Sequence, residues 1–433
     1  MSEVVNPIAT PLDTTSPVKP SQPEADKDEV PGKRTSDETL VSDDAKKPKL
    51  DTDVWTKKRK VALLMAYSGQ GYLGMQRNPG THTIEEDLFQ AMLRSGLISE
   101  ENYNAPQQIQ FQRAARTDKN VSAARQVVSL KMPAEGPVLE RLNEELPPGI
   151  RALGLCRVTK NFNSKSNCDA RTYSYTLPTL ALAPADQPDV GEEYRVTPEV
   201  MQRAAETLTL FQGTHNFHNF TSRKHWQDPS AKRYIMKMEC GAPFVTDGLE
   251  FTEVRVKGQS FMLHQIRKMV GVAIAVVKGF TSADVIERAW QQERLDLPVA
   301  PGLGLVLEEA DCFTRVSSSC VHYDKYNRKY GGDGLHETLT WAGTEEAVQK
   351  FKQDYIWPTI VRGEREDKSM IDWLRTLPLH SYAVRERPHV SEAKLLAEQS
   401  GDISETKLPA DQSVDAEEDE ENDDVHEKSQ VKS

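Results

Sequence analysis

Arg113-Ala114-Ala115-Arg116-Thr117-Asp118-Lys119-Asn120-Val121-Ser122-Ala123 sets three cations around one acid within seven residues. An apolar, β-branched run at 127–130 follows and reads as a strand. Asp118 is therefore expected on a loop that enters a strand. Loops on a rigid scaffold commonly present reactive groups, and clustered guanidiniums suit phosphate oxygens. Taken alone, the stretch also reads as an ordinary exposed, salt-bridged loop. Its surroundings decide between the two.

Outward from this loop, strand and helix signals alternate. Residues 61–67 form a short apolar run that reads as a buried strand. Thr83-Ile84-Glu85-Glu86 reads as a capping box, with Thr83 as N-cap and Glu86 as its partner, before the helical spacing of Leu88, Met92 and Leu93. A helix at 138–146 stops at Pro147-Pro148. Strands are expected at 153–158 and 173–177, the latter with Tyr173 and Tyr175 on one face. Thr197-Pro198 starts a helix that reaches about Leu210. Residues 234–239 and 249–257 read as a hairpin pair, and residues 261–277 as a long apolar helix carrying His264, Arg267 and Lys268. A guanidinium within such a helix needs a partner. The pattern implies an α+β body with a mostly antiparallel central sheet, flanked by helices and built from two similar α/β halves. The expected divisions are 55–180, with the Asp118 loop, and 181–312. An extension at 313–400 follows, with the basic and aromatic string Tyr326-Asn327-Arg328-Lys329-Tyr330 and a helix from Thr344.

Charge is unevenly spread. The chain of 433 residues has a net charge of −12, but residues 1–54 carry −5 and residues 411–433 carry −8, leaving the body at +1. Nucleic-acid binding would have to come from a local basic surface. Residues 1–54 and 401–433 lack hydrophobic periodicity and read as disordered tails. The first holds Lys33-Arg34 and Lys46-Lys47-Pro48-Lys49, a spacing like that of a bipartite nuclear-import signal, so an import receptor and a nuclear location are expected. No apolar run approaches membrane-spanning length, and the polar N-terminus has no secretory h-region. The five cysteines show no CxxC spacing, which suits a reducing compartment and suggests no zinc site.

The Asp118 stretch closely resembles the Arg-Thr-Asp-x-Gly-Val-[His/Ser]-Ala signature of TruA-type pseudouridine synthases, in its eukaryotic nuclear branch. Asn120 stands where that family has Gly; Asn best tolerates the positive φ a Gly implies, so a preserved loop is expected. Five further segments resemble the family in order. They are Tyr67-Ser68-Gly69-Gln70-Gly71-Tyr72-Leu73-Gly74-Met75-Gln76, Cys168-Asp169-Ala170-Arg171-Thr172-Tyr173, Gly213-Thr214-His215, Phe261-Met262-Leu263-His264-Gln265-Ile266-Arg267-Lys268, and Ala300-Pro301-Gly302-Leu303-Gly304-Leu305. Together they span about residues 60–310.

The resemblance implies the pseudouridine synthase fold and isomerisation of uridine in tRNA, with snRNA and mRNA as further substrates and no cofactor or metal. It implies Asp118 as the catalytic carboxylate and Arg116 as the residue that helps flip the base. Tyr173 would stack on the base, Arg267 would pair with Asp118, and Leu305 would pack near the base. His215 reads as structural or RNA-contacting, Tyr175 as core. A monomer is favoured. The alternative is a non-catalytic RNA-binding or RNA-chaperone protein on the same scaffold. A carboxylate-pair glycoside hydrolase lacks an identifiable acid partner for Asp118.

Overall fold

The structure, a computed structural model, describes residues 57–187, 190–222, 224–311, 341 and 343–385. The two tails with their basic clusters, the string Tyr326-Asn327-Arg328-Lys329-Tyr330, and Cys312 and Cys320 lie outside the described residues.

Among the described residues ten strands form one sheet: β1 (Arg59–Tyr67), β2 (Gln112–Arg113), β3 (Ser122–Met132), β4 (Ile150–Arg157), β5 (Ala170–Pro178), β6 (Gly213–Asn216), β7 (Lys232–Cys240), β8 (Phe244–Thr246), β9 (Leu249–Gly258) and β10 (Leu305–Asp311). Their order is β4-β1-β3-β10-β5-β9-β7-β6, with β2 also beside β3 and β8 beside β9. All pairings are antiparallel except β10 with β3. The helices are α1 (Ile84–Arg94), α2 (Glu100–Asn104), α3 (Val138–Glu145), α4 (Pro198–Thr209), α5 (Gln265–Lys278), α6 (Asp284–Arg288), α7 (Glu345–Phe351), α8 (Trp357–Arg365) and α9 (Ser369–Leu374). A π-helical turn, Lys352–Ile356, joins α7 to α8.

The path β1-α1-β2-β3-α3-β4 places its first strand between its fourth and third, with its second beyond the third. The path β5-α4-β7-β9-α5-β10 does the same. The two units meet at the parallel pair β3–β10, where Val306 faces Ser122 and Leu307 faces Ala123. The second unit thus opens with β5, ahead of residue 181, because Tyr173 and Tyr175 pair with β9 and β10 rather than with the first unit.

The apolar run at 61–67 is continuous because β1 is buried on both faces. Val61, Leu63, Met65 and Tyr67 join the main core with Leu88 and Phe89 of α1, Leu142 of α3, Leu208 of α4 and Val270 and Ile274 of α5. On the opposite face Ala66, Ala124 and Val306 receive Val348, Phe351, Ile356 and Ile360 from the C-terminal helices. Each fully buried aliphatic side chain contributes about 1.5–3 kcal/mol. The extension therefore covers sheet surface that would otherwise be wet and apolar. A buried ion pair fixes it there: Lys352 Nζ stands 2.7 Å from both oxygens of Glu308, whose Oε1 also accepts the Ser174 hydroxyl at 2.8 Å.

Two local expectations are corrected. Thr83 Oγ1 accepts the Glu86 N–H, but the Glu86 carboxylate turns to Arg77, Tyr103 and Gln90, so only half of the capping box forms. The long apolar helix begins at Gln265, not at residue 261. His264 is left-handed, with φ 60°, and Gln265 Oε1 accepts the Met262 N–H at 2.9 Å, which closes residues 261–264 into a turn.

Candidate active site

The loop between β2 and β3 is held from three sides. Gln126, fully buried on β3, bonds both the N–H and the carbonyl of Ala115, at 3.2 and 2.7 Å. Tyr67 Oη meets Thr117 Oγ1 at 2.9 Å. Burial pushes the Tyr67 phenol up to about 12, so it remains a neutral partner. The third side is the glycine-rich turn after β1. Met75 N–H donates to the Thr117 carbonyl, Asn120 N–H to the Tyr72 carbonyl, and Gly69 N–H to Ser122 Oγ. A β-carbon on Gly69 would stand 2.3 Å from the Val121 carbonyl oxygen, so only glycine permits this approach. Asn120 adopts φ 62°, the left-handed conformation expected of it, and its Oδ1 accepts the Gly71 N–H.

Asp118 stands half-buried at the tip of this loop, and the second unit supplies its neighbours. Arg267 Nη1 lies 3.9 Å and His264 Nε2 3.8 Å from Asp118 Oδ2. Arg267 occupies the first turn of α5 rather than its interior. Its Nε donates to the Ala300 carbonyl at 2.7 Å, which sets the direction of the guanidinium toward Asp118. Tyr173 is buried, its ring edge-to-face with Phe261 at 5.3 Å. Its phenol is pushed above the ordinary range by burial, with Tyr67 and Asp118 adding to the effect and Arg171 opposing it. Leu305 packs in the main core opposite Tyr175. Its N–H donates to the Gly302 carbonyl, and a β-carbon on Gly302 would meet the Lys119 carbonyl at 2.9 Å.

The cations of the quoted stretch do not all serve Asp118. Arg113 pairs with buried Glu85 and donates to Gln76. Glu85's carboxyl is raised chiefly by burial, with Arg113 opposing. Arg116 is exposed, and its Nη1 donates to Gln76 Oε1 at 3.4 Å. His215 stacks on Trp290 at 4.6 Å and bonds the Gln212 carbonyl, a packing arrangement. Tyr175 is fully buried and donates to the Pro301 carbonyl at 2.7 Å. His264 was not expected beside the acid. The available signal was its place just before a helix of small and branched residues, where a left-handed residue can stop the run and turn its side chain back. Among the described residues no grouping of three His, Cys, Asp or Glu side chains could hold a metal ion, and no helix is long and apolar enough to cross a membrane.

A mouse protein named pseudouridylate synthase 1 homolog is 53% identical over 329 residues, covering 75% of each chain. The chain belongs to the pseudouridine synthase family. A human protein of the same name is 54% identical over 326 residues, 75% of this chain and 74% of its own. The tRNA pseudouridine synthase 1 of Yarrowia lipolytica is 32% identical over 415 residues, 77% of this chain and 75% of its own. The tRNA pseudouridine synthase domain profile matches residues 208–311. Within this family member, that segment contains Arg267, His264 and Leu305, whereas Asp118 and Tyr173 stand outside it. The two parts of the site therefore come from opposite sides of the profile's boundary and meet only in the fold.

Proposed function

We propose that this protein isomerises uridine to pseudouridine in tRNA, with Asp118 as the reacting carboxylate and Arg267 holding its charge and direction. The reaction breaks the C1′–N1 bond, rotates the freed uracil and joins C5 to C1′. The C5 proton leaves to solvent and N1 gains one, so the product is an isomer and neither oxidant nor energy source enters the balance. A carboxylate can attack C1′, attack the ring, or take a ribose proton. What supports this reading is the meeting of one acid from the first unit with the Arg267 guanidinium and the His264 imidazole of the second, beside buried Tyr173.

A uridine must leave its stack to reach such a site, which pays unstacking energy and calls for groups that fill the gap and hold the base. Exposed Arg116, on the same loop, suits the first task; Tyr173 and Leu305 suit the second. The α+β body with its two like units is, on this reading, the pseudouridine synthase fold. By the same reading snRNA and mRNA uridines are further substrates, the enzyme acts as a monomer, and basic clusters at residues 33–34 and 46–49 direct it through an import receptor to the nucleus.

The test is tritium release from tRNA carrying 5-tritiated uridine, with the purified full chain and no added cofactor. Release with wild type and none with Asp118→Asn, at equal tRNA binding, is the expected outcome. Binding without release in both proteins would replace the proposal with a non-catalytic RNA-binding role.

A further inference from the structure

The segment 298–305, which leads from the end of the second unit's helices into β10, has two sides. Its inner side touches the Asp118–Arg267 pair. Ala300 accepts Arg267 Nε at 2.7 Å through its carbonyl, and its N–H returns to the Arg267 carbonyl at 3.2 Å. Gly302 abuts the Lys119 carbonyl so closely that a β-carbon would stand 2.9 Å from it and 4.0 Å from Arg267 Cζ. The direction of the guanidinium and the height of the Asp118 loop are thus both set by where this segment lies.

The C-terminal helices reach its outer side at Leu303 and come near it beside Gly271. At Gly271 of α5, a β-carbon would meet the Pro298 carbonyl oxygen at 3.0 Å, Trp373 Cζ2 of α9 at 3.3 Å and Ala300 N at 3.4 Å, so indole, helix and segment converge there. At Gly363 of α8, a β-carbon would lie 2.5 Å from Leu303 Cδ2 and 3.2 Å from Cδ1, so Leu303 sits directly on the α8 backbone. These helices are themselves anchored. Lys352 pairs with Glu308 of β10 beneath them, Thr359 Oγ1 meets Ser68 Oγ at 3.3 Å, and the Glu364 carboxylate accepts Met370 N–H at 2.9 Å, tying α8 to α9.

We propose that Trp373 and the Leu303–Gly363 contact are positioning elements, through which the C-terminal helices hold segment 298–305 and so fix Arg267 against Asp118. The inference rests on the reading of Asp118 as the reacting carboxylate. None of the three residues touches the reacting atoms. They act through Ala300 and Gly302, and a displacement of about 1 Å in a positioned group can lower a rate by up to roughly 10²-fold.

The experiment measures single-turnover tritium release at saturating tRNA with full-length protein, well below the melting temperature, together with the tRNA dissociation constant. Trp373→Ala opens a hole beside Gly271, where the segment also lies, and is expected to lower the rate about 10-fold with tRNA affinity unchanged, while Trp373→Phe restores most of the rate. Gly363→Ala pushes on Leu303 and is expected to lower the rate likewise, and Leu303→Val in that background to recover it; this pair carries the test if Trp373→Ala does not fold. A folded Trp373→Ala that melts earlier but turns over at the wild-type rate would show the helices to be a stabilising cover only, and overturns the proposal. A loss confined to tRNA affinity also overturns it. If Asp118→Asn itself retains turnover, the underlying reading has failed; if Asp118→Asn is inactive and both contact variants run at full rate, only the positioning role has.

Discussion

The two units of the sheet contain topologically equivalent connections of equal length. Residues 114–121 join β2 to β3 in the first unit, and residues 241–248 join β7 to β9 in the second. Both contain an aspartate and a non-glycine residue at positive φ, Asp118 with Asn120 at 62° and Asp247 at 49°. The first is enclosed by Gln126, Tyr67, the glycine-rich turn and the N-terminus of α5. The second pairs its own short strand β8 with β9 and leaves Asp247 exposed. The same path through space thus yields a fixed, cation-faced carboxylate in one unit and a plain surface hairpin in the other. What differs is the set of neighbours.

The sharpest test of that difference is the pair Asp118→Asn and Asp247→Asn. Each removes one charge at constant size. The first is expected to lower tritium release by at least ~10³-fold, about 4 kcal/mol of transition-state stabilisation. It should leave tRNA binding intact, because phosphate contacts supply most of the affinity. The second should leave both unchanged. Equal effects of the two would mean that the enclosure of Asp118 is irrelevant to the chemistry.

The cation side should come next in size. Arg267→Ala is expected to lower single-turnover release by roughly 10²-fold. It also leaves the Ala300 carbonyl without its donor, at a cost of about 1–3 kcal/mol in stability. Arg267→Lys keeps the charge, but a single ammonium cannot both bond Ala300 and face Asp118 as the fork does. It should therefore recover melting temperature more than rate. Recovery of both together would indicate that charge alone matters and that the Ala300 bond sets nothing.

The sequence made some of this legible and hid the rest for identifiable reasons. Strand β1 was readable because burial on both faces leaves an unbroken apolar run, and the left-handed Asn120 because few residues tolerate that conformation. The need of Arg267 for a partner was readable from its apolar helix, and Asp118 does lie 3.9 Å away. Its closer partner is a backbone carbonyl, and a carbonyl exists at every residue, so sequence cannot single out Ala300. Arg113 misled because charge pairing was judged by proximity in sequence. Its acid, Glu85, lies 28 residues away across the core. His264 was hidden by the apolar run around it, which continues past the point where its backbone turns left-handed.

A smaller effect separates the glycines of the two regions. Gly74 has φ 108°, and a β-carbon there would stand 3.0 Å from the Thr117 carbonyl oxygen. Gly248, with φ 84°, has nothing within 4 Å of such an atom. Both Gly→Ala variants meet the same backbone strain, about 1 kcal/mol or somewhat more. Only Gly74→Ala should also displace the Asp118 loop, lowering the rate about 10-fold. Thermal melting and single-turnover release on both variants check this. A rate loss in Gly248→Ala equal to that in Gly74→Ala would assign the effect to general destabilisation.

The last expected effect is on stability rather than rate and lies where α8 and α9 meet. Glu364 is buried, and burial pushes its carboxyl up to about 7, with the Met370 N–H bond opposing. Its folded value thus lies above the 4.5 of a free glutamate. The folded protein therefore holds this proton where the unfolded chain has lost it. The stability it contributes is fully present below about pH 4.5 and is lost as pH rises through about 7. The whole swing is on the order of 3 kcal/mol. Glu364→Gln cannot titrate, and its Oε1 can still accept the Met370 N–H. At pH 5 the two proteins should melt within a few degrees of each other, since a protonated glutamate and a glutamine are close in shape and polarity. By pH 8 wild type must either bury a charge or loosen the α8–α9 contact, so the variant should melt higher. Melting curves of both proteins at half-unit steps from pH 5 to 8 measure the difference directly. A difference that stays flat across that range would mean that Glu364 carries the same charge folded and unfolded, and that the α8–α9 junction is not tuned by pH.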